Sequence, residues 1–424
     1  MKFKKTTLPN GLRVITVPMH GNPSVTIMVM VETGSNYENK EQNGLSHFLE
    51  HMCFKGTTKR PTALDIAREM DSMGAYNNAF TMNELTGYYA KAEKKHFNKI
   101  LEVLSDMYLN PVFPQEDLEK ERGVILQEVS MYEDLPQDNV YNFFTKLMYG
   151  DTPAGRPIIG SKENIKKFSR QDFVDYRREH YVAGKTIVVV AGDVNEKAVI
   201  REVKKNFASI PKGKIISKLP VKEKQRSPQL LLHKQKTNQA HLIFGFRGYD
   251  ARDKRIPVAT ILSSVLGGGM SGRLWQKVRH EMGACYYIDA THHEYTDHGV
   301  LTISTGIEAL RTQEVVRAVL DECRNLATIP VSGEELNKAK EYYLGHFFMY
   351  LETTHAQAQF YGIEEALTGK IKSPTEIEKE VRAVTAKEVT NLARDLFRDS
   401  NLNLAAIGNI SNPKLVKKAL TFKE

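Results

Sequence analysis

The sequence says nearly the same thing twice, and this constrains the fold more than any single motif. Met73-Gly74-Ala75 recurs as Met282-Gly283-Ala284, 209 residues later, each time after a helical pattern and before a strand. Val190-Ala191-Gly192-Asp193-Val194 has a counterpart in Ala406-Ile407-Gly408-Asn409-Ile410, 216 residues later. Both offsets are close to half of the 424-residue chain. The order of elements repeats as well. In the first half, strand patterns over 11–17 and 25–32 precede helices at about 43–55 and 62–73. Strand character returns over 75–92, and helical patterns cover about 94–108, 115–134, 138–148 and 169–180 before a buried strand at 185–193. In the second half, strands at 229–234 and 239–246 lead to helices at about 255–266 and 271–282. Strands at 285–292 and 299–305, helices at about 313–328, 333–352 and 376–397, and a last strand at 403–410 complete it. Such a repeat predicts an α+β chain of two homologous domains, 1–211 and 229–424. Each is a mainly antiparallel sheet with helices packed on one face.

Each half is long enough to bury its own core. The residues between them, 212–228, read as a basic linker. From 212 to 226 it holds Lys212, Lys214, Lys218, Lys222, Lys224 and Arg226 against Glu223, which is five of the chain's eight net positive charges. The basic balance therefore describes a linker surface, and no nucleic-acid partner is expected. Three cysteines (Cys53, Cys285, Cys323) cannot form a disulfide framework and fit a reducing compartment. Residues 1–6 lead into a polar turn with no apolar segment after them, and no apolar stretch of about 18 residues occurs. These features predict a cytoplasmic protein without a membrane span.

The chemistry concentrates in His47-Phe48-Leu49-Glu50-His51, inside a predicted helix. His47 and His51 are four residues apart, so both imidazoles leave one face. That geometry can place two nitrogens about 2.0–2.1 Å from one zinc ion. Glu50 sits beside the pair and can reach a metal-activated water without being a ligand. A catalytic zinc needs a third protein ligand and an open position. The helix at 115–134 offers Glu121 and Glu128, two turns apart on one face, and spacing alone does not choose between them.

The order His-x-x-Glu-His is the inverzincin signature. With Leu8-Pro9-Asn10-Gly11-Leu12-Arg13-Val14 and Gly44 to Met52, the chain resembles, over nearly its full length, the family of pitrilysin, insulin-degrading enzyme and mitochondrial processing peptidase. The resemblance implies a zinc endopeptidase holding one Zn2+ per chain on His47, His51 and Glu128, with Glu50 as general base. Glu121, 70 residues after His51, would orient a ligand histidine. Asn77, Asn78 and Ala79 match the segment whose strand edge receives the peptide. Arg279 and Tyr286 match a pair that completes the site from the second domain, Tyr286 donating to the oxyanion and Arg279 anchoring a substrate carbonyl. Residues 256–270, in place of a second zinc helix, contain no histidine or acid. The resemblance further implies half of a closed peptidase chamber, completed as a homodimer, that admits unfolded peptides or small flexible proteins. A non-catalytic docking subunit of a larger complex is the alternative, and an enzyme that needs a different partner chain is a third reading.

Overall fold

In the computed structural model, which describes residues 3–410 and 412–422, the repeat is visible in the backbone itself. Met1 and Lys2, the first residues read for a leader, lie outside the described range. The first half runs β1 (Lys4–Thr7), β2 (Arg13–Pro18), β3 (Ser24–Val31), α1 (Leu45–Met52), α2 (Ala63–Ser72), β4 (Tyr76–Thr81) and β5 (Thr86–Glu93). It continues with α3 (Phe97–Leu109), α4 (Gln115–Asp134), α5 (Pro136–Tyr149), α6 (Lys162–Lys167), α7 (Arg170–His180), β6 (Thr186–Gly192) and α8 (Glu196–Asn206). The second half runs β7 (Gln229–Lys234), β8 (Gln239–Arg247), α9 (Ile256–Gly267), β9 (Cys285–Glu294) and β10 (Gly299–Glu308). Then come α10 (Thr312–Thr328), α11 (Gly333–Tyr350), α12 (Thr354–Thr368), α13 (Pro374–Ala383), α14 (Ala386–Leu396), β11 (Leu402–Gly408) and α15 (Pro413–Ala419).

The two sheets have the orders β1-β2-β6-β3-β5-β4 and β7-β11-β8-β10-β9. Apart from β1 they correspond strand for strand. β2 runs parallel to β6 as β7 does to β11, and the remaining pairs are antiparallel. The repeated glycines share their conformations: φ is 58° at Gly74 and 59° at Gly283, and 149° at both Gly192 and Gly408. Side-chain-bearing residues rarely adopt these angles, which is why the short repeats keep glycine. A Cβ at Gly192 would also lie 2.8 Å from the Ser24 carbonyl oxygen, and one at Gly408 2.9 Å from the Ala240 Cα.

Two compact units result, but neither is a contiguous stretch. One comprises residues up to Ser130, Arg156–Leu219 and Tyr350–Ser373. The other comprises Met131–Gly155, Pro220–Met349 and the chain from Pro374 onward. The boundary expected at 212–228 is free of helix and strand. The contiguous ranges 1–211 and 229–424 differ from the units because one helix is exchanged in each direction. In the second unit, Val140, Phe144 and Met148 of α5 bury against Ile243, Val300, Ala405 and Ile407. In the first, Ala358 and Tyr361 of α12 bury against Ile15, Val17, Met28, Met30, Ile187 and Val189. Helices therefore cover both faces of each sheet, where helices on one face were expected. Alternate residues of strands such as β3 are apolar on both sides, so each face needs a cover.

Three local readings also change. The helix expected over 376–397 is two, because Thr385 and Glu388 form a reciprocal capping box that starts α14. The helix expected at 271–282 contains a π-helical segment, Trp275–Glu281. The basic stretch is partly docked: Lys218 is nearly buried and its Nζ lies 3.1 Å from Glu84 Oε1. Among the described residues, no helix is long and apolar enough to cross a membrane.

Candidate metal centre

The face that α1 presents is set by its apolar residues. Leu45, Phe48, Leu49 and Met52 recur at helical spacing and are essentially fully buried. This leaves His47, Glu50 and His51 on the other side. The start of the helix is pinned by Glu38, a buried carboxylate that accepts from the Gly44 N–H at 2.8 Å and the Ser46 N–H at 2.6 Å. It thereby satisfies donors that a helix N-terminus leaves open. Gly44 has φ 99°, and a Cβ there would fall 2.7 Å from the Gly160 Cα.

α4 supplies the acids. Leu118, Ile125 and Val129 bury one stripe, and Arg122 bonds the carbonyls of Ile165 and Phe168. Glu128 Oε1 then lies 3.8 Å from His47 Nε2, and its Oε2 lies 3.9 Å from His51 Nε2. One ligand atom from each of the three residues falls within 4.8 Å of the others. Two bonds of about 2.0–2.2 Å through one ion span the 3.8 and 3.9 Å gaps, and the set of two imidazoles and a carboxylate suits zinc. Glu121 does not face this group. Its Oε1 lies 2.8 Å from His51 Nδ1, where the carboxylate accepts, so the other ring nitrogen, Nε2, is the one turned toward Glu128.

Protonation follows burial. Burial, with the neighbouring His51, depresses His47 to about 3, so its imidazole is neutral and fit to donate electrons. Burial raises Glu128 and outweighs the pull of His51. Glu50, 9% exposed, is also raised by burial, although the Thr81 hydroxyl and His51 act against it. Burial works in the same sense on Glu121, but the bonds from His51 and Lys55 override it and hold its carboxyl below the ordinary range. Thr81 Oγ1 donates to Glu50 Oε2. Thr81 ends β4, which is the outermost strand of its sheet. Asn77, Asn78 and Ala79 lie on that strand, paired inward with Ala90, Tyr89 and Tyr88.

Comparison with known proteins decides the family. Residues 13–162 match the model described as insulinase (peptidase family M16), and residues 167–343 match the peptidase M16 inactive domain. An uncharacterized zinc protease YmxG of Bacillus subtilis is 37% identical over 94% of this chain and 96% of its own. An uncharacterized zinc protease of Rickettsia felis is 34% identical over 96% and 97%. The chain belongs to the insulinase family of peptidases, M16. A protease from Helicobacter pylori has the same fold, with a TM-score of 0.90 at 21% identity over 96% of this chain and 99% of that one.

In this M16 chain the second unit carries the other predicted residues. Tyr286 lies on β9, the outermost strand of its own sheet, and is 71% exposed, whereas composition alone would bury it. The Arg279 guanidinium lies 5.4 Å from its ring centroid and donates to the Cys285 carbonyl at 2.9 Å. The π-helical backbone widens the turn that carries Arg279. The glycine-rich stretch 267–269 closes α9 beside a cavity of about 420 Å3 lined by Ser264, Thr291, His292, Tyr342 and His346. Lys55, bonded to Glu121, was not singled out by sequence, and Thr81, the last residue of the segment matched to the peptide-receiving edge, was not expected to bond Glu50. Lys55 follows His51 by four residues, a spacing that marks a shared side of the turn.

Proposed function

We propose that this chain is a zinc-dependent endopeptidase that hydrolyses unfolded peptides or small flexible proteins. The observation that carries the reading is the convergence of His47, His51 and Glu128 on one point, with Glu50 on the same helix face and not among the donors. The relatives named zinc proteases support it.

His47, His51 and Glu128 would hold one zinc ion per chain. When bound, zinc supplies Lewis acidity, polarising a carbonyl and making water a nucleophile near neutral pH. Glu50 takes a proton from the attacking water and passes it to the leaving amine. Its burial favours this, because a base raised toward neutrality binds the proton more firmly. Thr81 holds one oxygen of Glu50, leaving the other free for the water. The β4 edge, through Asn77, Asn78 and Ala79, binds extended peptide by main-chain hydrogen bonds. Such bonds demand an unfolded substrate but little sequence preference. Arg279 and Tyr286 bind and polarise the substrate carbonyl, a role supported by the exposure of Tyr286, by the Arg279 guanidinium beside its ring and by the family resemblance.

The test is metal content with chelation. One zinc per chain is expected, with peptide hydrolysis lost on chelation and restored by zinc. Full hydrolysis by the metal-free chain would sink the reading, and absence of both zinc and hydrolysis would favour a docking subunit. Two copies forming a closed chamber complete the proposal, in the cytoplasm, where the three free cysteines stay reduced. Sedimentation is expected to give twice the mass of one chain, and a monomer at working concentration would overturn the homodimer.

A further inference from the structure

We infer that Lys55 is a positioning residue for the zinc site, acting through Glu121 on His51. The inference rests on the proposed zinc reading and goes beyond it. Lys55 lies just past the end of α1, where the chain continues in turns with Phe54 N–H bonded to the His51 carbonyl and Lys55 N–H to that of Met52. This brings its ammonium back to Glu121, with Nζ 2.5 Å from Oε2. The other oxygen of Glu121 accepts from His51 Nδ1 at 2.8 Å. Both carboxylate oxygens are thus engaged, one by each partner, and the group cannot rotate without breaking a charge-assisted bond.

The arrangement solves a charge problem. A ligand histidine must be neutral to bind a metal, so it can hold Glu121 by a hydrogen bond but cannot balance its charge. Glu121 is 7% exposed, and an uncompensated carboxylate there is costly. The Lys55 ammonium is the countercharge. With it in place, both oxygens of Glu121 stay engaged, and His51 is held with Nδ1 on Glu121 and Nε2 turned toward Glu128. His47 offers the contrast: among the described residues, its buried Nδ1 has no hydrogen-bond partner. His51 is instead held by a three-membered relay through Glu121 to Lys55.

The experiment measures the zinc dissociation constant of the full chain by competition with a chelator. Lys55→Met keeps the apolar stem and removes the charge, and it is expected to weaken zinc binding about tenfold to hundredfold, the range for losing a partner behind a ligand. Lys55→Arg is expected to restore most of the affinity. The double variant Lys55→Met/Glu121→Gln is expected to bind no more weakly than Glu121→Gln alone, because both act along one relay. A merely structural lysine would lower the unfolding midpoint and leave zinc affinity unchanged, and that result overturns the inference. Additive losses in the double variant also overturn it. If Lys55→Met fails to fold, Lys55→Gln takes its place. Failure of the zinc reading is a separate outcome: wild type and His47→Ala would then bind zinc equally weakly, and both proposals would fall.

Discussion

Glu50→Gln is expected to lower peptide hydrolysis by about 10²–10⁴-fold, the range for losing a general acid–base. It should leave the zinc content at that of the wild type. The amide has the shape of the carboxyl and can still accept from Thr81, so the helix face is undisturbed. It cannot take a proton from water. Glu50 is also not among the three converging donors, so zinc binding is expected not to depend on it. A quenched-fluorescence peptide assay read alongside metal analysis checks both halves. Wild-type hydrolysis by the variant would remove Glu50 from the mechanism, and loss of zinc would recast it as a ligand.

Arg60→Ala is the largest expected loss of stability. Arg60 is 4% exposed and bonds three carboxylates: Glu69 at 2.7 Å, Asp106 at 2.7 Å and Glu102. Asp106 is equally buried and also accepts from Thr57 and Asn110. Removing the guanidinium strands that charge, at a cost of about 3–5 kcal/mol. The network ties the segment after α1 to α3, so the damage falls next to the candidate site. Urea unfolding followed by circular dichroism checks it, and a loss under about 1 kcal/mol would show that Thr57 and Asn110 suffice for Asp106. The effect also depends on pH. Burial would raise Glu102, but Arg60, Lys59 and Lys99 override it and hold it at about 2 instead of the usual 4.5. The folded state then binds fewer protons than the unfolded one, so stability rises with pH across this interval. As pH falls from about 4.5 toward 2, the wild type is expected to lose this contribution, and Arg60→Ala should lose much less.

Features written within one or two helical turns were readable from sequence. α4 begins and ends at residues 115 and 134, as its pattern predicts. In α1, Leu45, Phe48, Leu49 and Met52 turn His47 and His51 outward without help from any distant residue. The duplication was legible because two glycines in each half need conformations that side chains resist. α12 was missed for the opposite reason. Ala358, Tyr361 and Gly362 form a stripe of mixed size that reads weakly alone and becomes apolar only against Met30 and Val189. The break between α13 and α14 was in principle visible, since Thr385 and Glu388 spell a capping box.

The sequence by itself determined the helix that carries the histidines, the strands other than β1, the twofold repeat and a choice of two acids for the third ligand. Family resemblance, not spacing, picked Glu128. Only the tertiary structure set Glu128 against both imidazoles and turned Glu121 to the back of His51. It also brought Lys55 to Glu121, linked Glu50 to the sheet edge through Thr81, and exchanged α5 and α12. The reason is range. Backbone geometry repeats every two or 3.6 residues, so periodicity reports which side of an element is apolar. Which side meets which is decided by packing between segments far apart in the chain, and no local pattern encodes that.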